Sequence, residues 1–382
     1  MGAPVHATPV GAMPPTPAGG AAPTGPAGGT PQQQGGSTAG TDNSQSLHAK
    51  TRSKVPWSDS VWHRIDQAVE QEMKRTRIGA RFLPKRPVPP KTTSVPTDSY
   101  ATTTPPGGTP ILNVNESATT PLCEYYVDFL LTTQQVDQEE GDFNQLGHST
   151  AVTLATKAAN ILAQAEDLII FQGQNAITGA TPFTSQLVLT LNGNEPADTG
   201  LLNFPIGGNA PGAGPLTPQA PPPPVPLITV VQVAPLDPKV PGVIYGPNTF
   251  EAVSQAYSDL QALGHYGPYA LVLETTPYAD TFAPLPATLT LTADRIKPLV
   301  TAGFFGTGTL PPNPAIPPVA LAAPYFGVLL SLGGNTMDLV TGLEPIVSFV
   351  QVNVGGNYQF RLLQRFALRV KDTTGIVILQ FN

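Results

Sequence analysis

The sequence predicts an α+β chain, and three observations carry that expectation. From Ser149 to Gln172 no Pro or Gly interrupts a run whose apolar residues recur at helical spacing. Beyond about Phe326 the pattern changes to short stretches of period two, the signature of strands. Hydrophobic residues make up 40% of the chain, enough for a large core, while Asp, Glu, Lys and Arg total only 12%, about half the usual share. So little charge suits a subunit whose surface is hidden by neighbours.

Composition excludes several classes. The 19 basic and 26 acidic residues give a net charge of −7, with no excess to neutralise a phosphate backbone, so no specific nucleic-acid partner is expected. A single cysteine, Cys123, rules out an intramolecular disulfide framework and a Cys-rich zinc site; it reads as a small buried residue. The opening Met1-Gly2-Ala3-Pro4 has no basic n-region or apolar h-region, and no run approaches the roughly 18 apolar residues of a membrane span, so cytoplasmic residence is expected. Pro (45) and Gly (37) are both in excess. They concentrate in three places: residues 1–55, where a flexible tail is expected, the stretch before Thr120, and 207–226 with its Pro221 to Pro224 run.

Order is expected from Trp57. Ser58 is placed as an N-cap, Trp57 and Trp62 have the spacing of a hydrophobic staple, and Gly79 supplies a stop. On that helix Trp62, Ile65, Val69 and Met73 form one apolar stripe, with Lys74, Arg75 and Arg77 in the last turn, where the macrodipole favours cations. Tyr125 to Leu131 reads as a strand, followed by an acidic turn (Asp137, Glu139, Glu140, Asp142). A long helix capped near Ser149 and ended by Gly173 is apolar on two sides, as befits a spine about 33 Å long that is covered on most faces.

A third helix is expected from about Asn248 to Gly264, burying Phe250, Val253, Tyr257 and Leu260, then a strand from Tyr269 to Glu274. Strands follow at Phe326 to Leu332, Met337 to Thr341, Ile346 to Asn353, Tyr358 to Val370 and Ile376 to Phe381, read together as one terminal sheet. In the long one Phe360, Leu362, Phe366, Leu368 and Val370 oppose Arg361, Arg365 and Arg369. Gln186 to Leu191 and Leu227 to Val233 are read as a strand pair flanking the Pro-rich insertion and forming an outward protrusion.

Five segments in order resemble one family, the encapsulins, nanocompartment shells that share the HK97 phage capsid fold, and among them the linocin/bacteriocin-type members. Val55 to Asp66 looks like the N-terminal helix with its Trp-x-x-Ile-Asp; Ala165 to Gly173 resembles the end of the spine helix with Glu-Asp-x-x-Ile-Phe-x-Gly. Gly267-Pro268-Tyr269 is similar to the Gly-Pro-Tyr strand of the axial domain. Gly327 to Leu339 looks like the Gly-Gly-x-x-x-Leu segment, and Phe360 to Phe381 is similar to the closing strands. The resemblance implies an N-terminal extension (1–55), an amphipathic helix (56–86), an extended E-loop (87–120), a P-domain with the spine helix (121–180 and 343–382), a Pro-rich insertion (181–246) and an A-domain (247–342).

It also implies sites. The corresponding helix lines the lumen and with the closing sheet forms a pocket for a short apolar peptide at the end of the cargo enzyme, so Trp62, Ile65, Val69, Met73 and Phe82 are candidate cargo-peptide residues; the alternative is that the stripe packs on its own subunit. Pro84 stands where the family often has an acid. The loop from Phe282 to Asp294 falls where the fivefold pore is built, so Pro284, Pro286, Thr288, Thr290 and Thr292 are candidate pore residues, offering hydroxyls and carbonyls that select by size and weak polarity; the alternative is an ordinary surface loop. Some members stack a flavin before the spine helix, whereas this chain has Gln134 and Gln135 there, so no cofactor is expected.

The acidic turn lacks regular cation-ligand spacing and reads as solvated charge before a helix N-terminus. The arginine face reads as cross-strand or inter-subunit pairing, and the five histidines are scattered. No nucleophile elbow, His-Glu-x-x-His, P-loop or Rossmann fingerprint occurs, so neither a catalytic residue nor a metal site is expected. The expectation is an icosahedral homo-oligomeric shell that encloses a cargo enzyme and passes small molecules. The alternatives are a major capsid protein of a phage or prophage and, less favoured, a soluble enzyme.

Overall fold

The computed structural model describes residues 51–103, 108–146, 149–173, 187–190, 200–202, 228–237, 242–284, 290–310 and 325–382. The expectations for the tail before residue 51 and for the Pro221 to Pro224 run lie outside the described residues.

The first helix, α1 (Asp59–Thr76), begins after Ser58 and buries Trp62, Ile65, Val69 and Met73 on one stripe, as its periodicity predicts. The staple forms: Trp57 and Trp62 meet edge to face at 5.0 Å, and Trp57 stacks on Phe360 at 5.0 Å. Gly79 is not the stop, because α1 ends at Thr76 and Gly79 opens a one-turn helix, α2 (Gly79–Phe82). Its smallness has another cause. A Cβ on Gly79 would sit 2.6 Å from Ile170 Cδ1, so only glycine lets this turn approach the spine.

The chain then enters β1 (Lys85–Pro87), which pairs in parallel with a later strand, β12 (Met337–Val352). The Pro- and Thr-rich region is more ordered than its composition suggests. It forms a two-ladder arm in which β2 (Ser94–Pro96) pairs with β5 (Thr119–Pro121), and β3 (Ser99–Thr103) with β4 (Ile111–Asn115). Ile111 and Leu112 stand exposed on it.

Strand β6 (Cys123–Leu131) alternates buried and half-buried residues along most of its length, with Cys123 fully buried. The acidic stretch after it is not a turn: Thr133–Leu146 is a helix, α3. Glu139 on it is buried, not solvated, and receives Ser149 Oγ and, at 3.2 Å, the Ala151 N–H. That places its charge at the N-terminus of the spine helix, α4 (Thr150–Gln172), where the macrodipole favours it. Ser149 caps the same helix by accepting from Val152 N at 3.0 Å, and Gly173 ends it at φ 81°. Ser149→Ala is expected to cost about 1 kcal/mol of stability, read as a lowered denaturant midpoint; an unchanged midpoint would mean that Glu139 alone serves that terminus.

The last strands divide between two sheets, which corrects the expectation of one. The first has the order β1, β12, β13 (Tyr358–Val370), β6, β7 (Val188–Thr190). The second runs β10 (Gly303–Thr307), β9 (Tyr269–Glu274), β11 (Tyr325–Ser331), β14 (Ile376–Phe381), β8 (Thr229–Val233). The strands expected at 337–341 and 346–353 are one strand, β12, kept continuous across register shifts near Gly342 and Pro345. The expected pairing across the insertion fails: β7 pairs with β6 and β8 with β14, in different sheets. The observed pairing buries Val188 and Val233, one from each strand, in the core, while Leu189 stays exposed.

Packed on the first sheet are α1 and α4. On the second lies α5 (Pro247–Ala262), which buries Val253 and Leu260 but leaves Phe250 and Tyr257 only partly covered. Two shorter helices follow, α6 (Thr275–Asp280) and α7 (Thr292–Ile296). The arginine face resolves into cross-strand pairs in register: Arg361 with Asp128 at 2.7 Å, Arg365 with Glu124 at 2.5 Å and Arg369 with Asp338 at 2.6 Å.

Candidate functional site

The apolar stripe is not itself an open groove. Trp62, Ile65, Val69 and Met73 are each at most 5% exposed and belong to one core with the spine helix and the first sheet; Phe82, 7% exposed, packs on Phe305 at 5.6 Å. Within the subunit, the packing alternative describes these five side chains. An amphipathic helix buries the stripe its periodicity defines, and here α4 and β13 supply the cover.

What opens beside the stripe is a cavity of about 350 Å³ between α1, α2, β1 and β12, lined by Glu70, Met73, Lys74, Arg77, Ala80, Arg81, Lys85, Glu344 and Pro345. Met73 is the one stripe residue that reaches it. The parallel pairing of β1 with β12 brings Lys85 beside Glu344, residues 259 apart in sequence. Of the basic residues in the last turn of α1, Lys74 lines the cavity, with Arg77 just beyond the helix end; their signal was legible, but as a helix-end preference and not as a wall.

A buried acid pair sets the geometry behind this wall. Asp167 accepts from Ile78 N at 2.9 Å and Gly79 N at 2.8 Å, which fixes the break between α1 and α2. Glu166 lies 3.1 Å from Arg77 Nε, and Arg77 reaches outward to Glu344 at 3.5 Å. Burial raises the pKa of both acids, that of Asp167 to about 7. On the other side of α1, Arg75 donates to Glu72 and Asn160 binds the same carboxylate at 2.7 Å; the Arg75 bond holds the Glu72 carboxyl below its ordinary range despite partial burial.

The pore candidates separate. Pro284 and Thr290 are exposed, Pro286 and Thr288 lie outside the described residues, and Thr292 is 2% exposed as the first residue of α7. Thr292 therefore faces its own core and not a loop opening, a correction that follows from the helix the sequence pattern did not reveal. Nearby, a second depression is bordered by Ile244, Thr276, Ala279 and Asp280. Its carboxylate is committed to the Ile244, Tyr245 and Gly246 N–H groups at 2.6, 3.0 and 2.8 Å, so it holds a loop and presents no charge for a ligand. His265 bonds Thr374 at 2.7 Å and is structural; among the described residues no group of acids, histidines or cysteines could hold a metal ion. None of their helices is long and apolar enough to cross a membrane.

With that geometry in place, comparisons place the chain among known proteins. The family model Linocin_M18, described as an encapsulating protein for peroxidase, matches residues 48–200 and 238–367. The type 1 encapsulin shell protein EncA of Myxococcus xanthus (strain DK1622) is 24% identical over 337 residues, covering 85% of this chain and 94% of the relative. Among solved structures, a virus-like particle from Pyrococcus furiosus matches with TM-score 0.52 at 14% identity over 84% of this chain and 99% of that chain. The capsid of an empty GTA particle reaches TM-score 0.48 at 15% identity, covering 80% and 90%. The fold is the α+β HK97 type.

Proposed function

The chain belongs to the Linocin_M18 family of encapsulating proteins, and from that premise we propose that many copies close into an icosahedral shell that confines a cargo enzyme and makes or breaks no bonds itself. The observation that carries this reading is the family match over residues 48–200 and 238–367, across the helix, the spine and the strands up to residue 367. Closure comes from contacts between copies, which accounts for a chain with only 12% charged residues. The shell resides in the cytoplasm as a nanocompartment, and small metabolites pass at the axial loop near Pro284 and Thr290.

Cargo is held at the cavity beside α1. A short segment at the end of the cargo enzyme lays an apolar side chain over Met73, Ala80 and Pro345, and the number of identical sites on one shell adds avidity. Size-exclusion chromatography with electron microscopy of the recombinant protein, then mass spectrometry of native contents, tests the shell; a stable monomer at physiological salt overturns it. For the cavity, Ala80→Phe is expected to fill the site and reduce cargo per shell at least fivefold with particles intact; full loading removes the cavity from the reading. Trp62→Asp is a poor probe, since a charge at that buried position unfolds the helix packing before it reports on cargo.

A further inference from the structure

The charge around the cavity states what kind of segment it takes. Its wall carries four cations, Lys74, Arg77, Arg81 and Lys85, against two acids, Glu70 and Glu344. This excess sits on a chain whose net charge is −7. With Glu166 counted behind the wall, three acids face four cations, and the pairs leave one positive charge over. Lys74 is matched by Glu70 one turn away on α1, and Arg77 has Glu166 behind it. Glu344 is divided between Arg77 and Lys85, at 3.5 Å from each. Arg81 meets no carboxylate among the described residues: its guanidinium donates to the Lys74 and Arg75 carbonyls at 3.3 and 2.7 Å, which holds the positive charge at the cavity rim. The floor between these groups is apolar, from Met73, Ala80 and Pro345. Pro84 adds no acid at the end of α2.

We propose that the cavity bounded by Lys74, Arg81 and Lys85 recognises a peptide segment pairing one apolar anchor with an acidic side chain, so that the cargo of this shell is selected by negative charge. The proposal rests on the cargo reading of the cavity. The anchor covers Met73 and Ala80 while the carboxylate reaches Arg81 and Lys85, whose planar and point-like groups donate to it at the solvent edge without desolvating a second ion. General attraction to the subunit cannot imitate this preference, because a chain of net −7 draws basic segments, not acidic ones.

The test co-expresses the full chain with green fluorescent protein ending in a flexible Gly-Ser linker followed by Leu-Gly-Asp-Gly, the same tail with Asp replaced by Lys, or the same tail with Asp replaced by Asn and followed by two Lys, and counts fluorophores per purified shell. The acidic tail is expected to load about tenfold better than either basic tail, and Arg81→Glu with Lys85→Glu is expected to reverse the order while shells still form. Equal or better loading of the basic tails, still abolished by Ala80→Phe, overturns the charge proposal and leaves the cargo reading intact. Loading of every tail that ignores Ala80→Phe overturns the cargo reading itself. Where the double reversal prevents assembly, Arg81→Gln alone decides: a loss of the acidic preference supports the proposal and an unchanged ratio refutes it.

Discussion

Arg369→Met is expected to lower stability by about 3–5 kcal/mol, with the arm released at its base. The Arg369 side chain is 2% exposed, and its guanidinium uses both edges: Nε and Nη2 donate to Asp338 at 2.9 and 2.6 Å, while Nη1 donates to Pro96 O at 3.0 Å and Asp98 at 2.5 Å. Lys371, equally buried, adds a contact to Asp338 at 2.9 Å. Burial alone would raise the Asp338 pKa, but the bonds from Arg369 and Lys371 outweigh it and hold the carboxyl below its ordinary range. Methionine fills similar volume yet leaves Asp338 with one cation and Asp98 with none from this strand. Asp98 stands at φ 55° between the two ladders of the arm, so Asp98→Asn keeps that backbone and isolates the contact. Hydrogen exchange over 94–121 is expected to rise in both variants, with the denaturant midpoint falling strongly only in Arg369→Met. Unchanged exchange in both would show that the ladders, with the Arg365 and Tyr100 bonds, hold the arm without Arg369.

Asp167→Asn is expected to stabilise the subunit above neutral pH. Burial raises the Asp167 pKa from 3.8 to about 7, so between those values the folded chain holds a proton that the unfolded chain has released. The stability Asp167 contributes is thus complete below about pH 4 and is lost as pH rises through about 7. Asparagine keeps an acceptor for the Ile78 and Gly79 N–H groups and does not titrate. From pH 5 to pH 8 the variant is expected to gain about 3 kcal/mol relative to the parent, measured from urea unfolding at each pH. Glu166 titrates in both proteins and drops out of the comparison to first order. A difference that stays flat with pH would place the Asp167 carboxylate in contact with more water or charge than its packing shows.

Helices were legible in the sequence wherever one face is apolar and the ends are punctuated, as at Ser149, Gly173 and Gly264, because periodicity and capping are local physics; Ser58 marks the start of α1, but its side chain makes no capping bond there. The α3 helix was not legible: Asp137, Glu139, Glu140 and Asp142 look like a solvated turn until the spine terminus supplies Glu139 with donors. The arm was hidden for a related reason, since Pro, Thr and Gly weaken strand propensity and it is ordered by its antiparallel ladders and by distant partners, Arg369, Arg365 and the Tyr100 bonds to Gly334 and Lys371 among them. The stripe from Trp62 to Met73 was found correctly as a face, but periodicity cannot say whether a face meets its own core or a partner.

The sequence by itself determined the class of the chain, the spine with its cap and stop, and the family, since order of motifs survives where overall identity is low. Only the tertiary structure decided that the closing strands serve two sheets, that Gly79 exists for close approach and not for termination, and that the stripe is core. It also placed Lys85 and Glu344 at one cavity with Ala80 and Arg81. The physical reason is one of range: caps and amphipathic faces are written within a few turns of chain, whereas a wall assembled by pairing β1 with β12 depends on a register between residues more than 250 positions apart.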